Sequence, residues 1–266
     1  MSLPTSTSNL FAKALQAYRE LQPELEQAGR AIQAPALPTL NDVAGHLDVP
    51  PRGALMLGVA ADGLPVLLDL SDLAPFPMLV MGDRGSGKTA LLQLLARSVD
   101  LLQEPGDIQF GVVTNFPEEW EGVAASASSL GVWPAYHRSA EQFVHDMVAG
   151  TGGGRSARQM QVLLFDDLAA LVSANAGMQE DLRRLLALDP EQRVLTVATL
   201  NAVRALRLRP WLESFPMHIF GFIHQPALAE TLTGDPQAGL AYLTPGQQFS
   251  FQQDSGWLQF WLPSLE

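Results

Sequence analysis

The sequence predicts an α/β fold: a parallel sheet flanked by helices, with β additions at both ends and an N-terminal helical segment. Three observations carry that prediction. Largely apolar runs of strand length recur at residues 78–81, 108–114, 162–165, 194–199 and 217–224, with stretches long enough for helices between most of them. Parallel strands are buried on both faces and read as continuous apolar runs, not as alternating ones. Residues 54–60 and 64–70 flank Asp62-Gly63, and residues 247–253 and 257–262 alternate aromatic with polar side chains, so an antiparallel pair is expected on either side of the parallel core.

Bulk properties set the limits. At 266 residues, 47% hydrophobic and 17% charged, the chain has the length and composition of a packed domain with a small appendage. It contains no cysteine, which removes disulfides, thiolate metal sites and thiol nucleophiles from consideration. The five histidines show no ligand spacing. No apolar run approaches the length of a membrane span, and the first residues lack a basic region followed by an apolar core, so the expected location is the cytoplasm, without membrane insertion. The net charge of −12 argues against a strong nucleic-acid grip by a lone subunit, because such a grip uses Lys and Arg to displace phosphate counterions.

In chain order, residues 1–34 are expected to be helical. Leu10, Phe11, Ala14, Leu15, Tyr18, Leu21 and Leu25 recur at helical spacing, and residues 8–33 offer a surface for the domain itself or for a protein partner. Residues 35–53 are proline-rich and read as a linker, and residues 54–266 as the main domain. After the hairpin, residues 78–81 run into Gly82, Asp83, Arg84, Gly85, Ser86, Gly87, Lys88 and Thr89, a full match to G-x-x-x-x-G-K-[ST], followed at once by a leucine-rich helical stretch from Ala90. Strand, glycine loop and helix are the setting in which this motif means a nucleoside triphosphate site. Backbone N–H groups of the loop and the positive helix end cradle phosphate. Lys88 is expected to reach the β and γ phosphates, and the Thr89 hydroxyl to hold Mg²⁺.

Residues 117–127 are expected to be helical, 131–137 to form a short strand, and 139–148 a helix capped by Ser139. The glycine-rich residues 150–154 read as a flexible loop, since no strand precedes them and no lysine follows. The strand at 162–165 ends in Asp166-Asp167. A carboxylate at the C-terminal tip of a parallel strand sits where open α/β sheets bind ligands. Asp166 is therefore assigned to the Mg²⁺ that bridges the phosphates, and Asp167 to the attacking water. Helices are expected at 168–173 and 178–188. The end of the next strand, Thr199-Leu200-Asn201, brings a polar side chain toward the γ-phosphate, and Arg204, Arg207 and Arg209 follow on a short helix.

This ordered set of features resembles the FtsK/SpoIIIE/HerA motor ATPases over roughly residues 43–263. The hairpin Gly58-Val59-Ala60-Ala61-Asp62-Gly63-Leu64-Pro65-Val66 is similar to the family's G-x-d-x-x-G-x-P-v. Residues 76–89 resemble its strand and phosphate loop, Asp166 to Leu171 its D-E-hydrophobic-small-x-L, Ala198-Thr199 its sensor strand, and residues 232–243 the segment that closes its core. The resemblance implies a RecA/FtsK-like P-loop NTPase that binds Mg·ATP between the subunits of a homo-oligomeric ring, six in number. An arginine would be supplied in trans (Arg204, Arg207 or Arg209, with Arg155 and Arg158 as alternatives), and duplex DNA or, as in secretion relatives, a protein would be moved through the channel. Two positions differ from the family pattern: Asp167 stands where Glu is usual, and Leu200 where the sensor Gln is usual, which leaves Asn201 as its stand-in. These differences, with the acidity, leave a second reading open, a nucleotide-binding interaction subunit whose ATP state controls assembly with partner proteins. A GTPase reading fails, because an N-K-x-D guanine reader needs a lysine that the chain does not have beyond Lys13 and Lys88.

Overall fold

The computed structural model describes residues 37–45, 47, 52–70, 77–104, 106–150, 159–253 and 256–265. The expected helical segment at 1–34 lies outside the described residues, as do Arg155 and Arg158. From Pro38 onward the chain forms one compact unit. Within the stretch read as a linker, α1 (Leu40–Gly45) is folded onto that unit, with Leu40 and Val43 buried.

Among the described residues ten strands join one sheet in the order β2-β1-β10-β9-β8-β3-β7-β6-β4-β5. The central strands are β3 (Met78–Gly82), β4 (Ile108–Thr114), β6 (Met160–Asp166), β7 (Val194–Asn201) and β8 (Met217–Phe220), each parallel to its neighbours among them. β5 (Ser129–Pro134) pairs parallel with β4 and makes the parallel block six strands, not the five the apolar runs suggest. Its side chains are only partly buried, so the edge strand lacks the apolar run that marks the others.

The β additions come from both ends of the chain but lie together on one side of the parallel block. β1 (Ala54–Val59) and β2 (Pro65–Asp69) form the predicted hairpin, and β9 (Gln248–Gln253) and β10 (Gly256–Trp261) form a second. β9 continues the sheet antiparallel to β8, and β10 pairs with β1, so the first and last strands of the domain are neighbours. Thr39 also bridges Ser264.

Strand alternation sorts the core onto two faces. Met78, Val80, Val112, Val162 and Leu164 pack on one face with Leu91, Leu92, Leu95 and Val99 of α2 (Lys88–Leu102). Leu79, Met81, Val113, Leu163 and Phe165 pack on the other. There they meet α4 (Arg138–Gly150) and α6 (Ala176–Leu186), through Phe143, Val144, Met147, Met178, Leu182 and Leu185. The remaining helices are short: α3 (Glu121–Ala124), α5 (Leu168–Val172), α7 (Ala202–Ala205), α8 (Arg209–Leu212) and α9 (Pro226–Thr233). No described helix is long and apolar enough to cross a membrane.

Candidate nucleotide site

The site lies at the C-terminal ends of β3, β7, β6 and β4, and sheet register brings its residues together. Gly82 at the end of β3 pairs with Asn201 at the end of β7, and Thr114 at the end of β4 pairs with Asp166 at the end of β6. β7 thus separates the strand of the glycine loop from the strand of the two aspartates. A cleft of about 470 Å³ opens over these ends, lined by Arg84, Gly85 and Gly87 to Ala90 from the loop, and by Phe116, Asp166, Asp167, Thr199, Asn201 and Arg204.

The loop is tight, and its glycines explain why. Gly87 has φ 90°, and a Cβ there would stand 2.7 Å from the Gly246 carbonyl oxygen. Both the left-handed backbone and the close approach require glycine. Gly87 is also the N-cap of α2 and leaves the helix start without a side-chain cap, so its first N–H groups face the cleft as donors for an anion. Ser86 is fully buried beneath the loop, and a Cβ at Gly82 would meet its Oγ at 2.5 Å. Asp83 does not line the cleft. Its carboxylate accepts from the His224 N–H at 2.8 Å, and its own N–H donates to the Phe222 carbonyl, which ties the loop to the chain leaving β8.

Lys88 Nζ donates to the carbonyls of Gly82 (3.0 Å) and Asp83 (2.7 Å), so the ammonium is held across the mouth of the loop. Burial pushes its pKa down from the usual lysine value, against the opposing pull of Asp166, Asp83 and Asp167.

Asp166 is the hub. Its carboxylate accepts from Thr89 Oγ1 at 3.0 and 3.2 Å, from Thr199 Oγ1 at 3.0 Å and from Thr114 Oγ1 at 3.4 Å. Burial raises the Asp166 pKa, the three hydroxyls pull it back down, and the neighbouring Asp167 pushes it up again. Thr89 and Asp166 form a set of hard oxygen ligands. Among the described residues no group of three or more His, Cys, Asp or Glu could hold a metal ion. One carboxylate and one hydroxyl without an all-protein cage suit Mg²⁺, which keeps its waters and takes the rest of its shell from substrate phosphate.

Asp167 is bound differently. It is the N-cap of α5, its Oδ1 accepting from the Ala169 N–H at 3.0 Å. Its backbone, at φ 99° and ψ 85°, is in the left-handed region that a residue with a Cβ adopts at a cost. The Asp167 N–H donates to Thr199 Oγ1 at 2.9 Å, and this bond helps hold it there. Its Oδ2 accepts from Arg204 Nη1 at 3.1 Å and from Asn115 Nδ2 at 3.4 Å.

The sequence-derived residues thus sort into groups. Of the loop residues expected at the nucleotide, Arg84, Gly85, Gly87, Lys88, Thr89 and Ala90 line one cleft with Asp166 and Asp167, whereas Gly82, Asp83 and Ser86 do not line it. Arg204 also lines it, paired with Asp167 of its own chain. Arg207 and Arg209 are exposed and do not line the cleft. Asn201 lines it, but its Oδ1 accepts from the Val203 N–H at 3.1 Å as the cap of α7. Leu200, at the sensor position, is fully buried. Sequence reasoning missed Thr114, Asn115 and Phe116 at the end of β4, and Gly246 against the loop. The available signal was the polar Thr114-Asn115 pair ending an apolar strand next to the aspartate strand. Gly246 carried none.

No protein-family profile matches the sequence, and no curated protein sequence matches it. Solved structures do match the fold. The cytoplasmic domain of the type VII secretion ATPase EccC of Thermomonospora curvata has a TM-score of 0.67 at 18% identity, with 86% of this chain and 28% of that chain covered. The cytoplasmic domain of EssC has a TM-score of 0.66 at 14% identity, with 95% and 53% covered. The pCW3 conjugation coupling protein TcpA, in a monomer form with ATPγS, has a TM-score of 0.60 at 15% identity, with 86% and 70% covered. The chain spans well under two thirds of the length of EccC and EssC. The chain shares its fold with these proteins.

Proposed function

We propose that this chain binds and hydrolyses Mg·ATP as a subunit of a ring-forming motor that moves a polymer. The observation that carries the reading is the convergence of Lys88, Thr89 and Asp166, from a glycine loop and a strand 77 residues apart in sequence, on one cleft. Lys88 and the loop N–H groups hold the phosphates, and Thr89 and Asp166 hold the metal, which when bound draws charge off the β and γ oxygens. Asp167 orients the attacking water, and Asn201 stands by the γ-phosphate. An exposed arginine of a neighbouring subunit, Arg207 or Arg209, completes the charge at the terminal phosphate. A hexamer is the assembly such a site implies.

Duplex DNA is the first cargo to test. A specific observation favours a second reading, a protein cargo: with a net charge of −12, the chain has few cations with which to displace counterions from DNA. ATP turnover and particle mass, measured with and without duplex DNA, test both. Turnover that depends on Lys88 and Asp166 supports the ATPase. A ring whose turnover rises with duplex DNA supports the DNA motor, and a ring indifferent to DNA turns the reading to protein. A chain that binds no nucleotide, or binds it equally well as Lys88→Ala, refutes the whole proposal.

A further inference from the structure

Arg204 stands in the same cleft as Lys88 and Thr89 and pairs with an acid of its own chain, the reverse of an arginine reserved for a neighbour. Its placement is firm. α7 begins one residue after Asn201, the register partner of Gly82, and the Asn201 side chain caps it. Ala202 and Ala205, on either side of Arg204, are fully buried, so the backbone carrying the guanidinium is anchored. The side chain itself is 59% exposed, with Asp167 Oδ2 as its ion-pair partner at 3.1 Å.

We propose that Arg204 acts in cis as the reader of the nucleotide's terminal phosphate, exchanging the Asp167 carboxylate for γ-phosphate oxygens and so releasing Asp167 to the attacking water. This inference rests on the nucleotide reading of the cleft. It follows from a competition between anions. Asp167 Oδ2 and the terminal phosphate both present oxygens to one guanidinium fork, and the phosphate carries the greater charge and more acceptors. When Arg204 leaves, Asp167 does not collapse. The Ala169 N–H still holds Oδ1, Asn115 still touches Oδ2 and Thr199 still holds the backbone N–H. The oxygen relieved of the guanidinium is Oδ2, which keeps only the 3.4 Å contact from Asn115. A diphosphate, lacking the terminal group, leaves the Arg204–Asp167 pair in place. The exchange therefore couples the identity of the nucleotide to the readiness of the acid.

The test is equilibrium binding of ATPγS and ADP, each with Mg²⁺, to the full chain. Arg204→Ala is expected to weaken ATPγS by about tenfold, the size of one charge-assisted hydrogen bond in a half-exposed setting, while ADP changes less than about twofold. Arg204→Lys retains part of the preference, having the charge without the fork. Asp167→Asn removes the competing carboxylate and raises the ATPγS preference, and that gain disappears in the Arg204→Ala background. A merely structural Arg204 would move both nucleotides together. An unchanged ATPγS to ADP ratio in Arg204→Ala, or additive effects in the double variant, overturns the inference while leaving the nucleotide site intact. Binding of neither nucleotide, or binding indifferent to Lys88→Ala, overturns the site reading and this inference with it.

Discussion

Thr199→Val tests whether one hydroxyl organises both aspartates. Thr199 is 2% exposed, donates to Asp166 Oδ1 at 3.0 Å and accepts from the Asp167 N–H at 2.9 Å. Valine fills the same space, so no cavity enters the balance. The donor to a carboxylate is worth about 1.5–3 kcal/mol, and a half-buried N–H left without a partner costs about 1 kcal/mol more. The expected loss is therefore about 3 kcal/mol, a large share of the roughly 5–15 kcal/mol that holds a domain together. In a domain of this size it lowers the melting temperature by about 6–12 °C. Thr199→Ser, which keeps the hydroxyl, should lose about 1 kcal/mol or less. Function moves as well. With one of its three hydroxyl donors gone, the Asp166 carboxyl protonates more readily, so Mg²⁺-dependent binding of a fluorescent ATP analogue should fail at a higher pH than in the parent. Thermal unfolding and nucleotide titrations with Mg²⁺ or EDTA give both readouts. Unfolding within 1 °C of the parent, together with an unshifted pH profile, would show that Thr199 is a bystander and the reasoning is wrong.

Other outcomes follow from the same geometry. Gly87→Ala forces a Cβ to within 2.7 Å of the Gly246 carbonyl at a φ of 90°, so a loss of about 2–4 kcal/mol in stability and of ATP affinity is expected by thermal unfolding and titration; an intact loop would refute it. Asp167→Gly relieves the backbone at φ 99° while removing the cap and the acid, so stability should change by less than about 1 kcal/mol while turnover falls at least about tenfold; normal turnover would remove Asp167 from the reaction. Asp166 sets a pH dependence of known sign. Its folded pKa lies above the ordinary carboxylate value, so the native chain binds the proton more readily than the unfolded one. In EDTA that contribution to stability is fully present below the unfolded pKa and is lost as pH rises through the folded pKa. Mg·ATP binding should run the opposite way, weakening as pH falls through the same value, and both trends should flatten in Asp166→Asn.

The central strands were legible because burial on both faces leaves an uninterrupted apolar run, and the loop because phosphate binding demands glycines and a lysine at fixed spacing. β5 was less clear because an edge strand is half-wetted and need not be apolar throughout. The helix expected over residues 117–127 is a short 3₁₀ turn followed by four α-helical residues, a departure that propensity alone does not signal. Asp166 and Thr89 were placed by motif. Thr114, Thr199 and Asn115 around them depend on register between strands far apart in sequence, which no local pattern encodes. Arg204 shows the limit most plainly: its charge was visible, but the carboxylate it serves is set by how α7 leaves β7.

The chain's two ends of the folded unit meet. Ser264 donates to the Pro38 carbonyl and accepts from the Leu40 N–H, Arg97 reaches the Leu265 carbonyl, and β10 lies beside β1. The described unit is thus entered and left at one place. The same closure has a mechanical side. A pull applied across the two termini loads the Thr39–Ser264 bridge and the β1–β10 seam first, a short zipper remote in sequence from the glycine loop. Under tension the described unit should give way there first.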